Sequence, residues 1–329
     1  MPEFRQNLAT KEWVVVATER AVKPQSLRRL ETQPALPEKD ASCPFCPGNE
    51  AGTKPLAELS RPGGPAARAV ANKAPVLIAD APPLEAGSAL YRRLPGEGAH
   101  EIVIESLRHG RRWSDFTPEE AAQAVELYRR RFGAVAGNLK VALTLLFRNE
   151  GLSFGAELPH PHAEIVGSAV VPAHVRHRMD EAQRHFEKNN ECVFCRMLEE
   201  ELTQKKRLVA ENEHFAAFVL FAALSPFHLW ILPKRHTPAF QETTDAEGAA
   251  LASLLRTVMR KIDGGLNKPD YSFMIQSTPQ DRGATEAFHW YLSLVVRVGR
   301  AAGFELGSGM FLNNVVPEEA ARFLQAAEG

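Results

Sequence analysis

The chain has 329 residues, 44% of them hydrophobic and 24% charged, the make-up of a globular protein with length for about two domains. Its 39 basic and 40 acidic side chains leave a net charge of −1. That balance argues against a dedicated nucleic-acid binder, which carries a basic excess, but leaves room for a small anion held by local groups. The longest apolar run, Phe215 to Leu224, is far short of the roughly 20 residues of a membrane span.

The N-terminal stretch Met1-Pro2-Glu3-Phe4-Arg5-Gln6 carries an acid and no apolar segment, so it does not read as a secretory signal. Four cysteines in so long a chain do not make a disulfide scaffold. The expectation is a cytoplasmic protein with neither membrane nor nucleic acid as partner. The first cysteine pair, Cys43-Pro-Phe-Cys46, precedes a Pro/Gly/Ala-rich stretch, 47–67, that reads as a loop. Next, His100-Glu-Ile-Val-Ile-Glu-Ser-Leu-Arg-His109 is a short apolar run ending in a basic residue and a histidine. Thr117-Pro118-Glu119-Glu120 has the threonine and glutamate of a capping box, opening a helical pattern to about Phe132. Leu158-Pro-His160-Pro-His162-Ala-Glu164-Ile follows, and a helix-like stretch over 173–188 joins the two halves.

The landmarks then recur. A second C-x-x-C pair, Cys192 and Cys195, comes before His228-Leu-Trp-Ile-Leu-Pro-Lys-Arg-His236, another apolar run ending in arginine and histidine. Thr244-Asp245-Ala246-Glu247 is a second capping box, with a helical pattern to about Ile262, and Ala287-Phe-His289-Trp-Tyr291-Leu-Ser-Leu aligns with the His160 segment. Agreement at four landmarks marks a tandem duplication. The predicted fold is α+β: two repeats, residues 1–172 and 173–329, each an antiparallel sheet with packed helices.

In each half the recurring residues are two thiols and two imidazoles, the ligand set of a tetrahedral zinc site. The predicted sites are Cys43, Cys46, His109 and His160, and Cys192, Cys195, His236 and His289. Four protein ligands close a site, so two zinc ions per chain would be structural. On a strand, residues i and i+2 share a face, so His162 projects beside His160, and Pro161 suggests an edge or bulge. Imidazole is a nucleophile toward phosphorus at neutral pH. The second half has Tyr291 at the matching place, so the metal ligands are kept twice and the second histidine once, which singles out His162 as functional.

The segments Arg5-Gln-Asn-Leu-Ala-Thr-Lys-Glu-Trp-Val-Val-Val-Ala-Thr-Glu-Arg-Ala-Val-Lys-Pro, Cys43-Pro-Phe-Cys46-Pro-Gly-Asn and His160-Pro-His162 resemble the galactose-1-phosphate uridylyltransferase family of the histidine-triad superfamily. In its second half, Trp-Ile-Leu-Pro-Lys-Arg-His236 and Phe-His289-Trp look closer to the branch that includes ADP-glucose phosphorylase. The resemblance implies two histidine-triad-like domains, a homodimer, and ping-pong nucleotidyl transfer from a nucleoside diphosphate sugar. His162 would attack the α-phosphorus, and a phosphate or sugar phosphate would then take the nucleotide. It also implies that Arg20, Lys23 and Asn149 contact phosphate and that Asn72 lines a nucleoside pocket.

The chain departs from the family pattern at two places. The family reads Gly-Ala-Ser before His-Pro-His and glutamine two residues after the nucleophile, where this chain has Gly155-Ala156-Glu157 and His162-Ala163-Glu164. Serine and glutamine donate to phosphate oxygens, whereas an ionised carboxylate only accepts and repels a phosphate. Either Glu157 and Glu164 pair with Arg148 or another cation, or the substrate or reaction has changed, or activity is lost and the chain is a nucleotide-binding pseudoenzyme. A zinc-ribbon nucleic-acid binder is disfavoured by the charge balance. Glu164 therefore joins His162 as a candidate catalytic residue, and Glu157 joins Arg20, Lys23, Asn72 and Asn149 as candidate substrate contacts.

Overall fold

The computed structural model describes residues 1–31, 34–49, 54–61, 64–84, 88, 90–282, 285–299 and 302–328. Its strands are β1 (Glu3–Gln6), β2 (Trp13–Val16), β3 (Ala57–Arg61), β4 (Gly64–Ala71), β5 (Gly98–Ile104), β6 (Leu143–Glu150), β7 (His162–Ser168), β8 (Leu208–Glu211), β9 (Phe215–Val219), β10 (Leu229–Pro233), β11 (Tyr271–Gln276), β12 (Tyr291–Val296) and β13 (Phe311–Asn313). The helices are α1 (Pro118–Ala136), α2 (Ala173–Asn189), α3 (Val193–Gln204), α4 (Asp245–Leu266), α5 (Gly303–Ser308) and α6 (Pro317–Ala326).

Both capping boxes form. Thr117 Oγ1 accepts from Glu120 N–H while Glu120 Oε2 accepts from Thr117 N–H, and Thr244 and Glu247 repeat the exchange at α4. The first half's helix starts at Pro118, whose missing N–H is no loss at a first-turn position, and α4 stops at Asn267 in the left-handed region, φ 58.

Ten strands make one sheet in the order β3-β4-β5-β7-β6-β11-β12-β10-β9-β8, all pairs antiparallel, and β1, β2 and β13 form a smaller sheet whose β2–β13 pair is parallel. Read outward from the centre, β6-β7-β5-β4-β3 and β11-β12-β10-β9-β8 are the same five-strand arrangement. The two repeats join through their equivalent strands, β6 and β11, with Tyr271 opposite Glu150 and Ile275 opposite Leu146. Of the stretch 47–67, read above as a loop, residues 50–53 and 62–63 lie outside the described residues, and the rest contributes β3 and the start of β4, with Ala57 opposite Ala69 and Leu59 opposite Ala67.

The period-2 pattern decides which face holds chemistry. On β7, Ala163, Ile165 and Gly167 are buried beneath α1 while His162, Glu164 and Val166 stay half-buried on the other face. Gly167 allows the close approach, since a Cβ there would meet the side chains of Val135 and Val141. Buried Trp113, Tyr128, Phe132, Leu146, Leu255 and Phe273 belong to one continuous core.

A buried polar network also crosses between the halves. The Arg112 guanidinium donates to both Asp263 carboxylate oxygens at 2.9 Å, to Pro269 O and to Glu150. Ser114 donates to Asp263. Arg148 donates to Glu105, Glu150 and the Tyr271 hydroxyl, and Glu105 also accepts from Trp113 and Tyr128. Arg148 is thus paired with Glu105 and Glu150, and neither Glu157 nor Glu164 is among its partners. Among the described residues no helix is long and apolar enough to cross a membrane.

Candidate active site and metal clusters

Cys43 and Cys46 sit in tight turns before β3, His109 follows β5, and His160 ends the loop before β7. Their ligand atoms lie within 4.8 Å of one another and all four residues are buried. The Cys43 and Cys46 thiols are each 3.6 Å from His160 Nδ1, and Cys46 is 3.6 Å from His109 Nδ1. His160 Nε2 is 2.8 Å from Ser106 O, and a carbonyl only accepts, so the proton sits on Nε2. Nδ1 keeps its lone pair toward the thiols, the tautomer a metal takes. Burial lowers the His160 pKa to about 4 and raises that of Cys43, so without an ion the imidazole is neutral and the thiol protonated. A cation would release the thiol proton.

The second cluster brings together Cys192, Cys195 and His236, again within 4.8 Å, with Cys195 3.3 Å from His236 Nδ1. The hydrogen bond from Cys195, with His236 nearby, pulls the Cys192 thiol down and holds the proton on Cys195. His289 is not brought into this set. Its ring lies 5.2 Å from that of His236, and its Nδ1 bonds Trp290 O. Its Nε2 is buried without a partner, which leaves an unused lone pair beside the cluster.

His162 opens β7. Its Nδ1 is 2.7 Å from His160 O, so Nδ1–H donates and Nε2 carries the free lone pair. The ring faces a cavity of about 410 Å³ lined by Phe45, Arg68, Asn72, Lys73, Asn149, Glu157 and Glu164, among others. A second cavity of about 650 Å³, including His160, adjoins it and shares Asn149 and Glu157. Phe45, between the two cysteines, packs against both histidines, 5.2 Å from His162 and 5.9 Å from His160. Its carbonyl accepts from Arg68 at 2.9 Å. The Cys/His cluster and the His162 ring are therefore tied together through one aromatic side chain.

Glu164 pairs with a histidine: its Oε2 is 2.7 Å from His100 Nε2 on β5. Asn72 lies against the same imidazole, its Nδ2 3.1 Å from Nε2, with its Oδ1 accepting from Ala74 N–H. Asn149 accepts from Ser272 at 2.8 Å, and Glu157 is exposed at the rim common to both cavities. Arg20 and Lys23 are exposed and line neither cavity. Pro161 does not mark a sheet edge: it immediately precedes β7, which lies between β5 and β6, and its carbonyl accepts from Glu105 N–H.

Among the described residues, the matching place in the duplicated half is filled. Tyr291 is buried at the place of His162, stacked 4.0 Å from Trp230 and 5.6 Å from Phe194. Sequence reasoning passed over Phe45, Arg68, Lys73 and His100. Only His100 carried a signal, as the repeated start of the two runs that end in His109 and His236.

A buried Cys/His cluster beside a histidine whose free Nε2 faces a cavity is an arrangement suited to a nucleophilic imidazole. The comparisons agree. The galactose-1-phosphate uridyl transferase N-terminal domain model matches residues 1–172 and its C-terminal domain model residues 178–327. The chain belongs to the galactose-1-phosphate uridylyltransferase family and is an enzyme of the nucleotidyltransferase type. It is 31% identical to an ADP-glucose phosphorylase of Arabidopsis thaliana over 98% of this chain and 92% of that one. It is 28% identical to a galactose-1-phosphate uridylyltransferase of Thermotoga maritima over 100% and 99%. A solved ADP-glucose phosphorylase from Arabidopsis thaliana with bound ADP-glucose superposes with a TM-score of 0.81 at 30% identity, covering all of both chains.

Proposed function

We propose that the enzyme moves a nucleoside monophosphate from a nucleoside diphosphate sugar to a phosphate or sugar phosphate by way of a nucleotidyl-His162 intermediate. The observation that carries this reading is the 2.7 Å bond from His162 Nδ1 to His160 O, which leaves Nε2 as the nucleophilic nitrogen facing the cavity. In the first step Nε2 bonds to the α-phosphorus and the bond to the departing sugar phosphate breaks. The His160 carbonyl supports the charge that develops on the ring, because Nδ1–H donates more strongly as the imidazole becomes cationic. In the second step the acceptor oxygen bonds to phosphorus and Nε2 leaves. Asn72, Asn149, Arg68 and Lys73 line the cavity as contacts for the nucleotide and its phosphates.

Two zinc ions per chain suit the Cys/His clusters. With Zn–S near 2.3 Å and Zn–N near 2.0 Å, a tetrahedral ion has S···N edges of about 3.5 Å, against 3.6 Å between Cys46 and both histidines. Cys43, Cys46, His109 and His160 would hold one ion, and Cys192, Cys195 and His236 the other with His289 turned in as fourth ligand. The ion's contribution is structural: it holds the loop that carries His160. The four cysteines are free thiols, the state kept by a reducing cytoplasm, where we place the enzyme. The repeat boundary is placed at 172/173. Arg20 and Lys23, exposed away from their own cavity, fit a phosphate role only toward a second copy, in line with a homodimer.

The test is intact-protein mass after mixing with UDP-glucose and, separately, ADP-glucose, beside His162→Gly. A nucleoside monophosphate added to wild type and absent from the variant supports the reading and names the base. No adduct with either nucleotide sugar overturns it.

A further inference from the structure

The junction of β6 with β11 contains one local device twice. Each strand is followed by a short 3₁₀ turn, Leu152–Phe154 after β6 and Gln280–Arg282 after β11. The two strands are antiparallel, with Tyr271 opposite Glu150, so each turn meets the residue that precedes the other repeat's strand. After β11, Gln280 N–H donates at 2.8 Å to the carbonyl of Ala142, just before β6. After β6, Ser153 meets Asp270, just before β11, and here the holder is a carboxylate. Asp270 Oδ2 accepts from Ser153 N–H at 3.2 Å and from its hydroxyl at 2.6 Å. The half with the cavity thus carries the charge-assisted form of the contact.

Asp270 is itself firmly placed. Its Oδ1 accepts from Arg29 at 2.5 Å, and its carbonyl accepts from Arg297 N–H at 2.8 Å. Its carboxyl group lies over Gly151, where an added Cβ would collide with it and where φ is +87. The Arg297 guanidinium lies 4.2 Å from the centre of the Phe154 ring, a second contact from the second repeat. The stretch so held forms a wall common to both cavities, since Ala156, Glu157 and Leu158 line each of them. No residue from 151 to 159 is buried, so core packing contributes little to its placement, and such a segment opens locally at low cost. Phe154 N–H and Ala156 N–H donate to Gly151 O, which shapes the turn without attaching it to the sheet. Among the described residues, the only hydrogen bonds that 152–158 makes beyond itself and Gly151 are the two from Ser153 to Asp270.

We propose that Asp270 is a positioning residue for nucleotide transfer at His162. From the second repeat it fixes loop 151–158, and with it the cavity wall against which the nucleoside diphosphate sugar is seated for attack. The repeat that lacks the nucleophile thereby takes part in the reaction. The proposal rests on the nucleotidyl-His162 reading above. His162 is held separately, by its bond to His160 O and by Phe45, so freeing the loop misplaces the substrate and not the nucleophile. A misplacement of about 1 Å costs up to about 10²-fold in rate.

The experiment compares full-length wild type with Ser153→Ala, Ser153→Thr and Asp270→Asn, using ADP-glucose or UDP-glucose, whichever gives the wild-type adduct. Intact mass follows the rate of adduct formation at saturating nucleotide sugar, and hydrogen exchange follows the peptide covering 151–158. Ser153 is exposed, so Ser153→Ala should keep the wild-type melting temperature. It should speed exchange in that peptide and lower the saturating rate by about 10-fold. Ser153→Thr, which keeps the hydroxyl, should behave as wild type. In Asp270→Asn the single side-chain oxygen cannot accept from both Arg29 and Ser153, so this variant should follow Ser153→Ala. Carbethoxylation of His162 by diethyl pyrocarbonate should run at the wild-type rate in all three. An unchanged saturating rate in both Ser153→Ala and Asp270→Asn overturns the proposal. So does a change seen in melting temperature alone, which would assign Asp270 to the fold. Absence of any adduct on wild type is the failure of the nucleotidyl-histidine reading itself. The role of Asp270 is then read from loop exchange and the Kd for ADP-glucose, which Ser153→Ala should both raise; unchanged values overturn it.

Discussion

Arg235 grips Glu247 with two nitrogens, Nε at 2.6 Å and Nη2 at 2.8 Å, and that glutamate is also the capping-box residue of α4. The first repeat has the same arrangement: Arg108 meets Glu120 at 2.6 and 2.7 Å. In both cases the residue after the arginine is a cluster histidine, His236 or His109. A helix N-terminus, a carboxylate and an arginine therefore anchor the chain next to an imidazole of a Cys/His cluster, twice.

The Arg235 bond, then the helix cap, hold the Glu247 carboxyl down at about 2, against an ordinary 4.5. A folded-state pKa below the unfolded one contributes stability that is fully present above about pH 4.5 and is lost as pH falls toward 2. The melting temperature of Glu247→Gln should lie below that of wild type at pH 7. The difference should shrink as pH drops through 4.5 and vanish near pH 2. A difference independent of pH would assign the loss to packing instead.

The Arg112–Asp263 pair is buried on both sides, with side-chain exposures of 6% each, and links the two repeats. Breaking one partner of such a pair leaves an uncompensated buried charge, worth about 3–5 kcal/mol. Asp263→Ala should lower unfolding free energy by that amount in denaturant titration. It should also leave one cooperative transition, because the ten-stranded sheet runs unbroken across the repeats.

Metal analysis of protein purified without added metal should find about two zinc ions per chain, and Cys43→Ser should bring that to about one. The same variant should melt well below wild type, since a structural zinc contributes folding energy directly. It should also form the nucleotide adduct more slowly, because Phe45 packs on the His162 ring only while the turn carrying it is held. A Cys43→Ser protein with full zinc content would remove that residue from the ligand set.

Tyr291→His restores a histidine at the position equivalent to His162 yet should take up no second nucleotide. Trp230 and Phe194 fill the space a substrate would need. Intact mass on the variant should show at most one adduct per chain.

Much of the architecture was legible in the chain because it is written in local chemistry. The capping boxes at Thr117 and Thr244, the apolar runs ending in His109 and His236, and the paired C-x-x-C turns depend on neighbours a few residues away, and their recurrence identifies the duplication. The strands β3 and β4 were not legible, since alanine-rich chain between Pro and Gly becomes a strand only when β5 offers it an edge.

The sequence by itself determined the two-repeat α+β fold, the residue types available for metal, and the asymmetry between His162 and Tyr291, because each is a matter of order and spacing. Only the tertiary structure decided partnership. Arg148 went to Glu105 and Glu150, Glu164 to His100, and Arg112 to Asp263, while Arg20 and Lys23 were left outside the cavity and His289 beside its cluster. Apart from Arg148–Glu150, two residues apart on β6, these pairings join residues far apart in sequence, and a carboxylate's partner is set by which cation or donor the packed sheet brings within about 3 Å, a distance no spacing rule encodes.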